Sequence, residues 1–268
     1  MMVAKHSKAA VDEVVRGSLN GKSSAEIKPL HVLANALNDV ALDDPIYRVV
    51  PIEYLLKDVC NGTLTHVRIA SRNWNDVYEN PLLRQRYIDE VTNSEYGLEG
   101  VLEDTFGVCW TADSEESRES WEEFSHGLPA IRIRSTPRKL LSTVMNEDNP
   151  FFMLHHFIGK VSYSSKGEID EWIGNPDVSV HLDSLGQSLA LSVMKLRSHL
   201  VDEKEVRLVY SHSPAGNDWV QKEVEIEGDL CRLPFNWVGI VDGFSVGPQV
   251  ADDLAASVAE ALAALAQA

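Results

Sequence analysis

Two carboxylates and two guanidinium groups carry the clearest chemistry in this sequence. Glu203-x-Glu205 stands just before Arg207, and Arg48 lies inside a short apolar run. On a strand, residues two apart project to the same side, and two partly buried carboxylates repel, which raises the pKa of one of them. A guanidinium in an apolar run needs a partner, because unpaired burial of a charge costs several kcal/mol. We predict Glu203, Glu205 and Arg48 as catalytic residues.

Each of these residues also has a structural interpretation. Glu-x-Glu is common in acidic proteins and is compatible with a solvated loop in which Arg207 is a local ion-pair partner. Arg48 could likewise form an ion pair with an acidic side chain of its own domain instead of binding a phosphate or carboxylate bidentately. Both interpretations remain open at the level of sequence.

Further polar and aromatic side chains recur along the chain at positions that core packing alone would not require. Trp121 and Ser125 are four apart and share one helical face, and Thr136 precedes Pro137, which also suits a helix N-cap. Trp74 suits either the core or a stacking platform for a ring-bearing ligand. The predicted substrate-binding residues are Trp74, Asn75, Trp121, Ser125, Arg134, Ser135, Thr136 and Arg207.

Composition limits the partners of the chain. Its 268 residues include 24 Lys plus Arg against 41 Asp plus Glu, so the formal net charge is −17. Such a chain repels nucleic acid and anionic lipid at long range, although a local basic patch can still bind a small anion because salt screens the global field. The sequence contains no signal peptide, no membrane-length apolar run, no metal-binding Cys or His spacing, and no P-loop or Gly-x-Gly-x-x-Gly motif. We predict a cytoplasmic protein without a metal site.

The apolar periodicity predicts a mixed α+β fold, with a twisted, mostly antiparallel sheet surrounded by helices. Residues 1–44 are expected to form a partly flexible helical leader, and residues 45–268 a single domain. The alanine-rich terminal helix offers a possible docking face for a protein partner. Predicted strands include 46–50, 64–69, 106–111, 130–134, 157–163, 205–210 and 220–226, and predicted helices include 52–59, 138–145, 180–199 and 251–268.

The ordered set of motifs resembles an uncharacterised bacterial and phage family, the domain-of-unknown-function 2971 family. The resemblance covers the chain from Pro45 onward, with Val77 in place of the usual proline and Phe124 in place of the usual tyrosine. Members are linked by association with phage defence or toxin-like systems, so the resemblance implies a sensing or effector protein. The motifs are Tyr47-Arg48, Trp74 to Glu79, Cys109-Trp110, Trp121 to Ser125, Ile133 to Thr136, Ile158 to Tyr163 and Glu203 to Arg207.

A weaker resemblance is to ADP-ribosyltransferases, which carry an Arg, a Ser-Thr segment and a Glu-x-Glu in that order. Arg48, Ser135-Thr136 and Glu203-x-Glu205 reproduce the order, although the serine that follows Ser-Thr in that family is missing. The resemblance implies that Arg48 holds the phosphates of NAD and that Glu205 stabilises the oxocarbenium-like ribose. Two hypotheses follow: a protein that senses a nucleotide-like or anionic ligand, or an NAD-dependent transferase.

Overall fold

Short runs of β-branched and aromatic residues form the strands, and amphipathic runs between them form the helices. The computed structural model describes residues 5–69, 76 and 78–267. Its strands are β1 (Ala36–Leu37), β2 (Ile46–Pro51), β3 (Thr63–Arg68), β4 (Tyr87–Ile88), β5 (Glu95–Tyr96), β6 (Thr105–Thr111), β7 (Ala130–Ser135), β8 (His156–Lys160), β9 (Ser162–Ser164), β10 (Lys195–Arg197), β11 (Glu205–Ser211), β12 (Glu225–Glu227), β13 (Leu230–Pro234) and β14 (Gly243–Val246).

The helices alternate with these strands along the chain. They are α1 (Lys5–Leu19), α2 (Ser24–Ala34), α3 (Ile52–Asn61), α4 (Glu99–Leu102), α5 (Arg118–Phe124), α6 (Pro137–Val144), α7 (Pro150–Met153), α8 (Lys166–Ile173), α9 (Gln187–Ser192), α10 (Asp218–Glu223) and α11 (Asp252–Gln267). Short 3-10 helices add Pro81–Arg84, Val178–Val180 and Ser198–Glu203.

One large sheet organises the fold. In the described ranges its main path runs β1-β8-β11-β6-β2-β7-β14, and β3, β13 and β12 branch from β6. The β1–β8 pairing is parallel and the other pairings of this sheet are antiparallel. Strands β9 and β10, and strands β4 and β5, form separate two-stranded sheets. The predicted α+β fold with a mostly antiparallel sheet is confirmed.

The two faces of the sheet differ in polarity because successive residues of a strand point to opposite sides. We call the face that carries Tyr47, Cys109, Thr111, Glu205 and Arg207 the polar face. The opposite face, which we call the core face, carries Ile46, Trp110, Ile133, Val206 and Leu208, all within the main hydrophobic cluster.

Helices α3, α6 and α11 contribute to that cluster through residues such as Leu55, Leu140 and Val258, which are at most 2% exposed. The predicted terminal helix is therefore confirmed. Its spaced apolar residues Val258 and Leu262 are buried in this protein's own core, so this side of the helix is not available to a partner.

The predicted long helix over 180–199 is wrong. Gly186 has a φ of 74°, which ends any continuous helix at that point. The Asp183 side chain accepts hydrogen bonds from the backbone of Leu185, Gln187 and Ser188, which stabilises the turn. Only α9 is helical here, and β10 follows it and pairs with β9.

The predicted strand over 220–226 is also wrong for most of its length. The Asn217 side chain accepts from the amide of Val220 and caps helix α10. Val220 and Val224 are four apart and both pack into the cluster around Phe106 and Tyr210, so their spacing is that of a helical face. Strand β12 begins only at Glu225 and pairs with β13 instead of β11.

Two histidines of the core face are fully buried. Burial lowers the pKa of His66 to about 3, and burial together with the charges of neighbouring histidines holds the pKa of His156 well below its usual value. Among the described residues, neither ring nitrogen of His156 has a hydrogen-bond partner, and the ring stacks on Tyr210 with the centroids 4.8 Å apart.

We predict that these histidines make the fold acid-sensitive. An unfolded histidine binds a proton near pH 6.5 while a buried neutral one does not, so stability is complete above that pH and falls as the pH is lowered. Each buried histidine contributes a slope of up to about 1.4 kcal/mol per pH unit. In urea unfolding between pH 7.5 and 4.5, the free energy of unfolding of His156→Phe should fall less steeply with decreasing pH than that of the parent protein. The exposed His199→Gln is the matched control, and equal slopes for His156→Phe and the parent would contradict the prediction.

Candidate functional site

A buried ion-pair network lies on the polar face of the sheet. Arg207 is 1% exposed and donates from Nε and Nη2 to the two carboxylate oxygens of Glu205, at 2.8 and 2.9 Å. Its Nη2 also donates to Glu79 Oε2 at 2.8 Å, and its Nη1 donates to the Val193 carbonyl oxygen at 2.6 Å. Burial alone would lower the pKa of Arg207, but the charges of Glu205 and Glu79 raise it. The guanidinium is thus held charged and in one orientation.

Gly159 allows the segment after α9 to approach this network. A Cβ at Gly159 would lie 2.7 Å from Met194 Sδ and 3.0 Å from Leu37 Cβ. Because glycine leaves that space, Met194 packs directly onto β8, and the preceding Val193 directs its carbonyl to Arg207. The network therefore depends on a close contact that a larger residue would prevent.

Glu203 has an environment different from that of Glu205. It ends a 3-10 helix, and Lys204 adopts the left-handed region with a φ of 46°, so the two glutamates do not follow strand alternation. The predicted same-side geometry of a strand is wrong for this pair. Glu203 is half-buried, and burial together with the charges of Glu205, Glu123 and Glu79 raises its pKa to about 7. A carboxyl with this pKa exchanges its proton near neutral pH and suits general acid–base chemistry.

Strands β2 and β3 separate beside β6. In the described part of the chain, β2 pairs with β6 only at Tyr47–Thr111, and β3 pairs with it only at Val67–Gly107 and Arg68–Phe106. The intervening stretch of β6, residues 108–110, pairs with β11 on its other side. We call this gap, bordered by Arg48 on β2, His66 on β3 and Cys109 on β6, the split.

Arg48 and Cys109 border the split and are partly buried. Burial is the main cause of their pKa shifts, lowering the pKa of Arg48 and raising that of the Cys109 thiol, yet both residues keep accessible surface. Solvent therefore still reaches these two residues. Because its pKa is raised, Cys109 stays a protonated thiol at neutral pH and is not a thiolate nucleophile.

Cys109 is a polar-face neighbour of the carboxylate network. The charges of Glu205 and Glu79 help to raise the pKa of its thiol, and the thiol is also within electrostatic reach of Arg48. Arg48 itself has the strand alternation of Ile46 and Ile133 and therefore belongs to the core face, so Arg48 and Glu205 lie on opposite faces of the sheet. In the sequence, Cys109 stood out only as part of the Cys109-Trp110 motif, and nothing local marked it as a neighbour of Glu205.

The other predicted ligand contacts lie elsewhere. Ser135 is fully buried and donates to the Ile240 carbonyl, and Thr136 caps α6 by accepting from the Lys139 amide. Arg134 is exposed and donates to the Asp242 carbonyl at 2.9 Å. The Ser-Thr segment therefore has structural partners and is not part of the carboxylate network around Arg207.

Trp121 and Ser125 line a separate groove of about 660 Å³ with Arg118, Glu122 and residues 246–249. Helix α5 presents Glu123 toward Glu203, so this helix lies between the groove and the carboxylates. Another recess of about 410 Å³, at Lys28, Phe152 and Trp219, contains none of the predicted residues.

The segment after β3 contributes a residue that sequence reasoning did not assign to the site. Trp74 and Asn75 lie outside the described residues. Glu79 follows them and reaches Arg207, while Asp76 forms an ion pair with Arg197 at 2.7 Å. The only sequence signal for Glu79 was its place in the Trp-Asn-Asp motif.

Comparisons with family models, curated proteins and solved structures gave no match for this chain. In the described ranges, no group of three or more His, Cys, Asp or Glu side chains could hold a metal ion. Over the same residues, no helix has the length and apolar character to cross a bilayer.

We predict that Arg207 is essential to the stability of this site. Arg207→Met leaves Glu205 and Glu79 buried without their cation and should cost about 3–5 kcal/mol in the free energy of unfolding, measured in urea. Adding Glu205→Gln to Arg207→Met should recover part of the loss, because one buried charge is removed. Arg118→Met, which breaks an exposed pair with Glu122 at 2.7 Å, is the control and should leave the free energy of unfolding nearly unchanged, because solvent screens exposed ion pairs. A similar cost for both arginine variants would contradict this assignment.

Proposed function

We propose that the protein binds a small anionic ligand of the nucleotide class in the split, with Arg48 as the anion-binding group, and acts as a sensing or effector protein. The observation that carries the proposal is the partly buried Arg48 guanidinium, which makes no hydrogen bond or ion pair with any described residue. A guanidinium stays charged in proteins, and burying part of it without a direct partner is unfavourable. A bound anion would remove that cost.

The nearest acidic side chain does not take this role. Asp58 is within electrostatic reach of Arg48. Its carboxylate, however, accepts from the Thr63 hydroxyl at 3.1 Å and from the Thr65 amide and hydroxyl at 3.0 and 2.6 Å. Asp58 therefore lowers the local positive charge without occupying the donors of the guanidinium, which remain suited to a phosphate or carboxylate.

The global charge of −17 does not oppose this proposal. Charges farther away than about 8–10 Å are largely screened at cellular salt, and a partly buried guanidinium acts at short range in a lower dielectric. A role in phage defence rests on the family resemblance alone.

We predict that Arg48→Gln weakens ligand binding. Calorimetry and thermal shift with AMP, ADP, NAD and pyrophosphate should detect binding by the parent protein. Arg48→Gln should raise the Kd at least about tenfold, because a charged hydrogen bond contributes about 1.5–3 kcal/mol. The control is Arg134→Gln, which removes an exposed arginine of the neighbouring strand and should leave the Kd unchanged. Binding by Arg48→Gln equal to that of the parent would exclude Arg48 as the anion site.

A second candidate is an NAD-dependent ADP-ribosyltransferase-like enzyme. It is favoured by Glu203, which is within electrostatic reach of Glu205 and has a pKa raised to about 7 by burial and neighbouring carboxylates. In this mechanism the Glu205 and Glu203 carboxylates stabilise the ribose cation as nicotinamide leaves, and ionised Glu203 accepts a proton from the attacking group. It receives no support from Ser135 and Thr136, which have structural partners.

We predict for this candidate that purified protein incubated with NAD and cell lysate releases nicotinamide, with a rate that rises through about pH 7 as Glu203 ionises. Glu203→Gln should abolish that pH dependence and most of the rate. Glu123→Gln is the matched control: it removes a repelling charge, so the inflection should move to lower pH while activity persists. Intact NAD recovered together with thermal stabilisation would support sensing, and nicotinamide release unaffected by Glu203→Gln would exclude Glu203 from the reaction.

A further inference from the structure

Two buried polar groups next to the split have no hydrogen-bond partner among the described residues. Trp110 is 2% exposed and its Nε1–H has no acceptor there, and His66 is fully buried with Nε2 lacking a donor. Leaving a buried donor or acceptor unsatisfied costs about 1–3 kcal/mol for each group. Native proteins rarely keep such groups without a reason, so both positions require an explanation.

Both groups lie on the same face as Arg48 and close to it. Tyr47 pairs with Thr111, so the next residues of these antiparallel strands, Arg48 and Trp110, are neighbours across the split. Val67 pairs with Gly107. Because the strands are antiparallel, the residue before Val67, His66, lies beside Val108. The charge of Arg48 also contributes to the lowered pKa of His66, which shows that the two side chains are within electrostatic reach.

The two groups have opposite hydrogen-bonding character. His66 Nδ1 lies 3.3 Å from the Leu64 carbonyl oxygen, so Nδ1 carries the proton and Nε2 is an acceptor. Trp110 Nε1–H can only donate. Beside the guanidinium, the protein therefore offers one donor and one acceptor.

We infer that the ligand of the split carries, next to its anionic group, a hydrogen-bond acceptor for Trp110 Nε1–H and a donor for His66 Nε2, as on the edge of a nucleobase or a carboxamide. This inference rests on the proposed anion site at Arg48 and adds the second half of the ligand. A simple inorganic anion would satisfy Arg48 and leave both buried groups unpaired. A nucleotide carries the phosphate and the polar edge in one molecule.

Three monophosphates test the inference, because they share the anionic group and differ in the ring. AMP and nicotinamide mononucleotide carry a donor–acceptor edge, and ribose 5-phosphate does not. In calorimetry, at least one of the two nucleotides should bind roughly tenfold more tightly than ribose 5-phosphate, as expected for buried polar groups that gain partners. Trp110→Phe should remove most of this preference while the Kd for ribose 5-phosphate stays unchanged. Arg48→Gln should weaken all three ligands.

Trp172→Phe provides the matched control. Its indole N–H is also buried without a partner, but the ring packs against His181 near α8, away from the split. This variant should keep the preference for the nucleotide. In addition, the ¹⁵N-indole resonance of Trp110, assigned through Trp110→Phe, should shift on addition of the preferred nucleotide and not on addition of ribose 5-phosphate.

The outcomes separate this inference from the proposed function. Equal binding of all three monophosphates, unaffected by Trp110→Phe, would overturn the inference and leave the anion site at Arg48 intact. It would mean that a trapped water satisfies Trp110 and His66. Failure of all three to bind the parent protein would overturn both proposals. A nucleotide preference that Trp110→Phe removes and Trp172→Phe preserves would support both.

Discussion

The polar face of the sheet depends on the neutralisation of one buried cation. Arg207 is in the middle of a central strand, where its guanidinium has no access to water, and Glu205, Glu79 and the Val193 carbonyl together satisfy it. These partners come from three separate parts of the chain. The ion pairs thereby fix the positions of Glu79 and of the residues around Val193 over the sheet. The neighbouring carboxyl of Glu203 forms no ion pair with a described residue, and burial together with the charges of nearby carboxylates raises its pKa.

The split is the second organising feature. Its arginine, Arg48, is not neutralised by a described residue, whereas Arg207 is. A continuous sheet would pair β6 on both sides, whereas here β2 and β3 diverge and admit the Arg48 guanidinium beside Cys109. Arg207 is saturated by protein groups and Arg48 is not. This contrast separates a structural cation from a candidate ligand-binding one, although both are arginines in β-rich segments.

Several strands and helices were predictable because their signals are local. A compact apolar run identified β6, alternation identified β7 and β11, and Pro137 after Thr136 marked the start of α6. The errors also have local causes. Gly186 and the Asp183 turn interrupt an apolar pattern that is otherwise helical. Val220 and Val224 have a spacing compatible with both a strand and a helix, and the Asn217 cap selects the helix.

The sequence by itself determined the α+β class, the strong acidity and the unusual density of Arg and Glu in β-rich segments, because composition and periodicity are properties of the chain. Only the tertiary structure decided which of these charges neutralise each other. Glu79 and Glu205 are 126 residues apart in the chain yet meet at one guanidinium. Ser135 and Thr136, which resemble ligand-binding residues in sequence, are satisfied by a neighbouring carbonyl and a helix N-terminus. Strand pairing sets such partnerships over long chain separations, and no short motif records them.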